Sequence, residues 1–293
     1  MHKPVLLETV LSYLNLRAGS IVLDATVGSG GHAEAILKAI EPQGILIGLD
    51  QDEEALRKLP STLKAGGRQV ILKHSNFRDL DRTLSELNLS SIDAVLLDIG
   101  LSSDQLEDPA RGFSFQKDGP LDMRMDRRVG RAAGEILASS DVRELTRIFQ
   151  QFGEERFSGR IANAIMRARA KVPIQTTGAL KRVIEQATPI RYHFGRIHPA
   201  TRVFQALRII VNDELNALEE ALPKAISALK PGGRIAVITF HSLEDRIVKR
   251  FFLAEKAGGR GKIITKKPIR PSDDEVQTNP RARSAKLRIF ERS

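Results

Sequence analysis

The chain has no cysteine and no tryptophan, and only 2 tyrosines in 293 residues. Without cysteine there are no disulfides, no thiolate zinc sites and no iron–sulfur clusters. Methylation of a pyrimidine ring carbon through covalent attack by an enzyme thiol is excluded as well. No apolar run approaches the roughly 18 residues of a membrane span. The opening segment, Met1 to Glu8, is too short in its apolar part and too soon acidic for a signal peptide. These absences lead us to expect a cytoplasmic protein with no membrane partner and no obligate protein partner. There are no internal repeats and no zinc or calcium ligand spacing, so no metal is expected.

Positive charge is present in excess and unevenly placed. The net charge is +10. Residues 105–200 hold 17 Lys and Arg against 11 Asp and Glu, residues 256–293 hold 11 against 4, and the rest of the chain is net acidic. A basic middle block and tail on an otherwise acidic protein is the footprint of a polyanion-facing side, most often for nucleic acid; the bland alternative is a solvated surface.

The most informative stretch is residues 23–32. The β-branched run Ile21-Val22-Leu23 reads as a buried strand, and Ala33, Ile36, Leu37 and Ile40 recur at helical spacing. Gly28, Gly30 and Gly31 therefore lie where a strand turns into a helix. Glycine there permits positive φ and lets a ligand touch the backbone, while the helix start offers free N–H groups. The spacing is not Gly-x-Gly-x-x-Gly, so the dinucleotide fingerprint is missing. Twenty-two residues past Gly28, the apolar run 45–49 ends in Asp50, which is suited to accept hydrogen bonds from ribose hydroxyls. A nucleoside carrying a small charged group in place of a pyrophosphate fits this pair, and S-adenosylmethionine is such a cofactor.

Strands are expected at 21–26, 45–50, 69–73 and 92–98, with helices at 31–40, 52–59 and 78–88 between them and a short apolar helix at the start of the chain. That alternation predicts an α/β fold, a mostly parallel doubly wound sheet of Rossmann-like type, with ligands bound outside the carboxyl ends of the strands. Those ends carry Asp24, Asp50, Phe77 after the third strand, and Asp98. Phe77 can edge an adenine or pack in the core; Asp98 can face the crevice or cap a turn. After residue 104 the pattern changes to a charged, turn-rich loop in which Arg111, Phe113 and Phe115 suit phosphate contact and base stacking, or packing beneath the loop. Helices follow at 141–152, 155–171 and 177–187. On the second, Arg156, Arg160, Arg167 and Lys171 share one face, a candidate RNA-gripping stripe. Residues 105–200 thus form an inserted all-helical domain, and 1–104 with 201–293 the cofactor-binding domain. Tyr192, Phe194 and Arg202 flank the return, which leads into one long helix through Leu222. A fifth strand, 235–240, ends at His241, a lone histidine that is either structural or catalytic, and Ser242 is expected to cap the following helix with Asp245 three residues on. The tail is expected to add a hairpin with a polar loop at 268–280.

Several runs carry a resemblance: His2-Lys3-Pro4-Val5-Leu6-Leu7; residues 24–32; Leu97-Asp98-Ile99-Gly100-Leu101-Ser102-Ser103 with Gln105; Arg111-Gly112-Phe113-Ser114-Phe115; residues 118–126; Phe152-Gly153-Glu154-Glu155-Arg156; Ala200-Thr201-Arg202; Phe240-His241-Ser242-Leu243-Glu244-Asp245-Arg246; and residues 281–288. Through them the chain resembles, nearly end to end, the ribosomal RNA small subunit methyltransferase H family. The resemblance implies a class I methyltransferase that moves a methyl group from S-adenosylmethionine to the exocyclic N4 of a cytidine in the decoding centre of 16S rRNA, within the small (30S) ribosomal subunit. It implies that Gly30, Gly31 and His32 meet the cofactor's amino-acid end, Asp50 its ribose and Phe77 its adenine region, with Asp98 and Gln105 completing the site. Asp98 is the first candidate acceptor for the amine proton, with His241 a second catalytic candidate. The alternatives that remain are a methyltransferase acting on another RNA, on DNA or on a protein amine, a nicotinamide-dependent dehydrogenase, and a non-enzymatic RNA-binding factor.

Overall fold

The computed structural model describes residues 4–64, 69–195 and 198–293. In chain order the first helices and strands are α1 (Leu7–Leu14), β1 (Ile21–Asp24), α2 (Gly31–Ile40), β2 (Ile45–Asp50), α3 (Glu53–Lys58), β3 (Val70–His74), α4 (Leu80–Glu86) and β4 (Ile92–Asp98). A helical stretch follows, with α5 (Ser103–Glu107), α6 (Ala133–Ser139), α7 (Val142–Gln151), α8 (Ser158–Arg169), α9 (Thr177–Ala187) and α10 (Pro199–Asn212). The chain then continues through α11 (Glu214–Ala228), β5 (Leu229–Thr239), α12 (Ser242–Ala257), β6 (Gly261–Ile263), α13 (Asp273–Thr278) and β7 (Lys286–Arg292).

Two compact units result. The first comprises the chain up to Ser102 together with Leu215–Ser293, and the second comprises Ser103–Glu214. The sequence places the return to the first unit at residue 201, fourteen residues too early. Val203, Phe204 and Leu207 of α10 are buried, and α10 packs against α7 within the second unit. The single long helix expected through Leu222 is two helices: Asp213 has φ 51, a left-handed conformation that breaks the run between α10 and α11.

The sheet order is β3-β2-β1-β4-β5-β7-β6. The first five strands are parallel, and β7 runs antiparallel to both β5 and β6. Both faces are covered, which is why the strands read as unbroken apolar runs. Leu23, Ile47, Leu49, Val95, Leu97 and Val237 point into one core, with Leu80 of α4, Leu218 of α11 and Phe252 of α12. Their alternates Val22, Leu46, Ala94, Leu96 and Ala236 point into the other, with Val10 of α1 and Ile36 and Ile40 of α2. Strand β5 begins earlier than its apolar run: the Pro231-Gly232-Gly233 turn is a bulge across which the register jumps from Ile92↔Leu229 to Ala94↔Arg234. The expected tail hairpin is β6 and β7, and the intervening loop carries α13. In the second unit, the loop before α6 is pinned by a bridge between Pro120 and Thr176 and by Asn212, whose side chain bonds Met123 O and Met125 N, each at 2.8 Å. Among the described residues no helix is long and apolar enough to cross a membrane.

Candidate functional site

The carboxyl ends of β2, β1 and β4 lie side by side and each ends in an aspartate: Asp50, Asp24 and Asp98. The glycine turn folds over them. Ala25 N donates to Leu96 O at 3.0 Å and Val27 N to Leu49 O at 2.9 Å, so the turn is tied to both neighbouring strands. Gly28 has φ 53 and Gly30 φ 88. A Cβ on Gly30 would lie 2.8 Å from Leu63 Cδ1 and 2.9 Å from Leu59 Cδ2, so conformation and space both require glycine. Gly31 is closed over from the other side, a Cβ there falling 2.3 Å from Pro4 Cγ.

Each aspartate is held differently. Asp50 Oδ2 accepts from Gly28 N and its Oδ1 from Asp52 N, both at 2.8 Å, so it braces the turn. Asp24 is fully buried and accepts from Thr26 N at 3.2 Å. Asp98 N donates to Thr26 Oγ1 at 2.7 Å, and Asp98 Oδ2 lies 3.5 Å from His32 Nδ1. Asp24 Oδ2, Asp98 Oδ1 and Ser29 Oγ are buried with no hydrogen-bond partner among the described residues. Burial raises all three carboxyls. Asp24 rises to about 7, with the charge of Asp50 adding to the effect and the Thr26 N–H opposing it. Asp50 rises to about 6 against the N–H groups of Asp52 and Gly28. Asp98 rises to about 8, with Asp24 and Glu244 adding to burial. Such a crevice repels a pyrophosphate, which argues against the dinucleotide alternative, and favours a cationic ligand that also brings hydrogen-bond donors.

The remaining expected site residues divide. Phe77 opens a short 3-10 turn and is buried in the core with Leu80 and Leu84, only 8% exposed. Core packing is thus its main contact, and at most an edge is left for a ligand. Gln105 is buried on α5, in the second unit. His241 is the N-cap of α12, in place of Ser242. Its Nδ1 accepts from Glu244 N at 3.4 Å, its Nε2 lies 3.0 Å from Glu244 Oε1, and Glu244 Oε2 accepts from Phe240 N at 2.8 Å and from His241 N at 3.3 Å. The catalytic assignment of His241 therefore gives way to a capping one. The missed residue is fully buried Glu244. Its signal was a capping box one position upstream of where we expected it.

In the second unit Arg111 is a correction. It is 3% exposed, and its guanidinium bonds the carbonyls of Arg124 at 3.0 Å and Met125 at 2.9 Å, so it braces the loop rather than facing phosphate. Phe113 is buried beneath that guanidinium, and Phe115 packs edge-on against Phe204. Arg202 bonds Glu154 O at 2.6 Å. Arg160 and Arg167 are exposed on α8, seven residues apart on one face. Arg156 and Lys171 lie just outside the helix, so the expected four-residue helical stripe is two helical arginines with a flanking cation at each end. Arg156 lies against both Phe157 and Tyr192, whose rings meet edge-on, its guanidinium carbon 4.8 Å and 4.9 Å from the two ring centroids, and Tyr192 donates to Glu155. Phe194 is 84% exposed.

Comparison with known proteins gives a consistent result. The MraW methylase family matches residues 1–293. A protein of Syntrophotalea carbinolica called ribosomal RNA small subunit methyltransferase H is 47% identical, over 99% of this chain and 98% of its own. Proteins of the same description from Carboxydothermus hydrogenoformans and Heliobacterium modesticaldum are 47% and 49% identical, each over 99% of this chain and over 97% and 98% of their own lengths.

Proposed function

This chain belongs to the MraW methylase family, and from that premise we propose that it methylates the exocyclic N4 of a cytidine in the decoding centre (P site) of 16S rRNA, taking the small ribosomal subunit as substrate and S-adenosylmethionine as cofactor. The site fits that cofactor by its chemistry: one buried and two half-buried carboxyls, with three buried oxygens that lack a partner, call for positive charge and donors, and the φ of Gly28 and Gly30 lets a ligand reach the backbone at the start of α2. Asp50, the glycine turn, the edge of Phe77 and the start of α2 would hold it, and Gln105 is the further residue that the family resemblance assigns to it. When bound, S-adenosylmethionine supplies an electrophilic methyl group on a sulfonium.

The residues have little covalent chemistry to perform. Cytosine N4 is a weak nucleophile because its lone pair is delocalised into the ring, so alignment of the amine is the main demand. An acceptor at one N4–H localises that pair and stabilises the positive charge that develops on nitrogen. Asp98 Oδ1, buried and without a donor, is the acceptor we assign, and this one observation carries the reading. The N4 proton that methylation displaces would pass to the Asp98 carboxylate, its electron pair staying on nitrogen, with the neutral thioether as the leaving group. Asp98 rises to about 8 without the cofactor, and beside the cationic sulfonium it would lose its proton, leaving a carboxylate to accept from N4. Exposed Arg160 and Arg167, with Arg156 on its aromatic bed, would hold phosphates and stack on bases while the cytidine leaves its own stack.

The decisive measurement is mass mapping of small-subunit RNA from cells with and without the gene. Loss of one methyl at a decoding-centre cytidine N4 is expected; an unchanged map overturns the reading. In vitro, Asp98→Asn is expected to lose far more turnover than cofactor affinity, whereas equal losses assign it to binding alone.

A further inference from the structure

The segment just before α1 passes over the catalytic end of the sheet with an unusual backbone. Leu6 is a buried leucine with φ 55, a left-handed conformation that a leucine rarely adopts. That φ sets the plane of the Val5–Leu6 peptide, and both ends of the peptide are held. Its N–H donates to Glu275 Oε1 of α13 at 2.6 Å, and its carbonyl lies 3.0 Å from His32 Nε2. The other nitrogen of the same imidazole, Nδ1, is 3.5 Å from Asp98 Oδ2. His32 is 7% exposed, at the second position of α2. A chain of contacts thus runs from α13 through one strained peptide and one buried imidazole to the carboxylate at the end of β4.

We propose that His32 is a positioning residue for Asp98: its ring, anchored on the Val5 carbonyl, holds the Oδ2 side of the carboxylate so that Oδ1 is presented to the incoming amine. The proposal rests on the methyltransferase reading above, and it gives the His32 side chain a role other than meeting the cofactor. The anchoring bond fixes the ring. With Nε2–H donating to the carbonyl, Nδ1 is placed to accept from Asp98 while that carboxyl is protonated and to donate to the carboxylate when the ring carries a second proton. The groups facing Asp98 from the surrounding elements are Asp24 on β1, Glu244 on α12 and His32 on α2. The first two disfavour the carboxylate, and His32 can carry positive charge. The arrangement also explains the close seat of Pro4 on Gly31: the segment that carries the anchor lies directly on the start of α2.

The test compares wild type, His32→Gln, His32→Asn and His32→Ala in methylation of purified small subunits, with S-adenosylmethionine affinity measured by calorimetry. Wild-type activity is established first; its absence refutes the functional reading and not this proposal. Given activity, His32→Ala is expected to lower kcat on the order of tenfold or more while cofactor Kd changes less than about threefold. His32→Asn, which keeps an amide near the Nδ1 position, is expected to recover part of the loss. In His32→Gln the acid limb of the kcat profile is expected to move to higher pH, because a group able to carry charge is replaced by a neutral one. Glu275→Ala, which releases the far end of the same peptide, is expected to lower kcat by a smaller factor with Kd unchanged. Unaltered kcat and pH profile in the His32 variants overturn the proposal, as does a loss of cofactor affinity that matches the loss of turnover. Calorimetric binding by each variant shows that it has folded.

Discussion

Asp98 works against the stability of the empty protein. Its carboxyl binds a proton more tightly when folded, at about 8, than at its ordinary 3.8. A group raised in this way favours folding below its unfolded pKa and loses that contribution as pH climbs toward the folded one. Between about pH 4 and 8 the empty protein should therefore weaken, and Asp98→Asn should raise the melting temperature at pH 8 by on the order of a few degrees, with little effect at pH 4. A melt that is equally shifted at both pH values overturns this assignment of the proton. The same arithmetic governs ligand binding. A cation placed among Asp24, Asp50 and Asp98 drives off their protons, so calorimetry near pH 7 in buffers of different ionisation enthalpy should show proton release on binding S-adenosylmethionine, and less on binding the neutral thioether product. At Gly30 the prediction is steric. Gly30→Ala meets Leu59 and Leu63 at under 3 Å and keeps an unfavourable φ of 88, so it should cost about 1–3 kcal/mol in urea unfolding and weaken cofactor binding besides.

At the scale of the element, the two sets of arginines separate cleanly. Arg111→Ala removes a buried guanidinium that bonds two carbonyls and should destabilise the protein by roughly 2–4 kcal/mol in chemical unfolding, with the salt slope of RNA binding unchanged. Arg160→Glu with Arg167→Glu should do the reverse: stability within about 0.5 kcal/mol of wild type, but weaker RNA binding with a salt slope shallower by about 2. An unchanged slope would make that face plain solvated surface. These elements also show what could be read from sequence. The strands from β1 to β5 were legible because burial on both faces leaves no polar alternation to confuse them, and α2 was legible to the residue because the glycine turn fixes its start. The break at Asp213 was not, since an apolar period continues across it and only the backbone changes hand. The cap at His241 was hidden because histidine is an uncommon N-cap, and the burial of Arg111 because a charged side chain in a loop reads as solvent-facing until the loop's carbonyls are seen to converge on it. The acidic crevice was half visible: three strand-ending aspartates stand in the sequence, but their adjacency depends on the strand order.

For the whole molecule, the charge pattern and the division into units partly coincide. The basic middle block falls largely in the second unit, between Ser103 and Glu214, while the carboxylate crevice lies in the first. The proposed function therefore assigns the polyanion to the second unit and the cation to the first, and raised salt should weaken RNA binding steeply while affecting cofactor affinity at the crevice far less. A matching salt dependence for both ligands would contradict that division. The sheet carries a further consequence, in the order of its strands. Strand β7 is seventh in the sequence, yet it lies between β5 and β6. During synthesis the ribosome therefore releases β5 with one side bare, and some fifty residues must still emerge before its permanent neighbour arrives. Until then β5 is an apolar template open to the same strand of any other nascent copy. A stop codon placed just ahead of Lys286 would make that passing exposure permanent, and the truncated product should be recovered from inclusion bodies, even though the glycine turn and all three crevice aspartates have already been made.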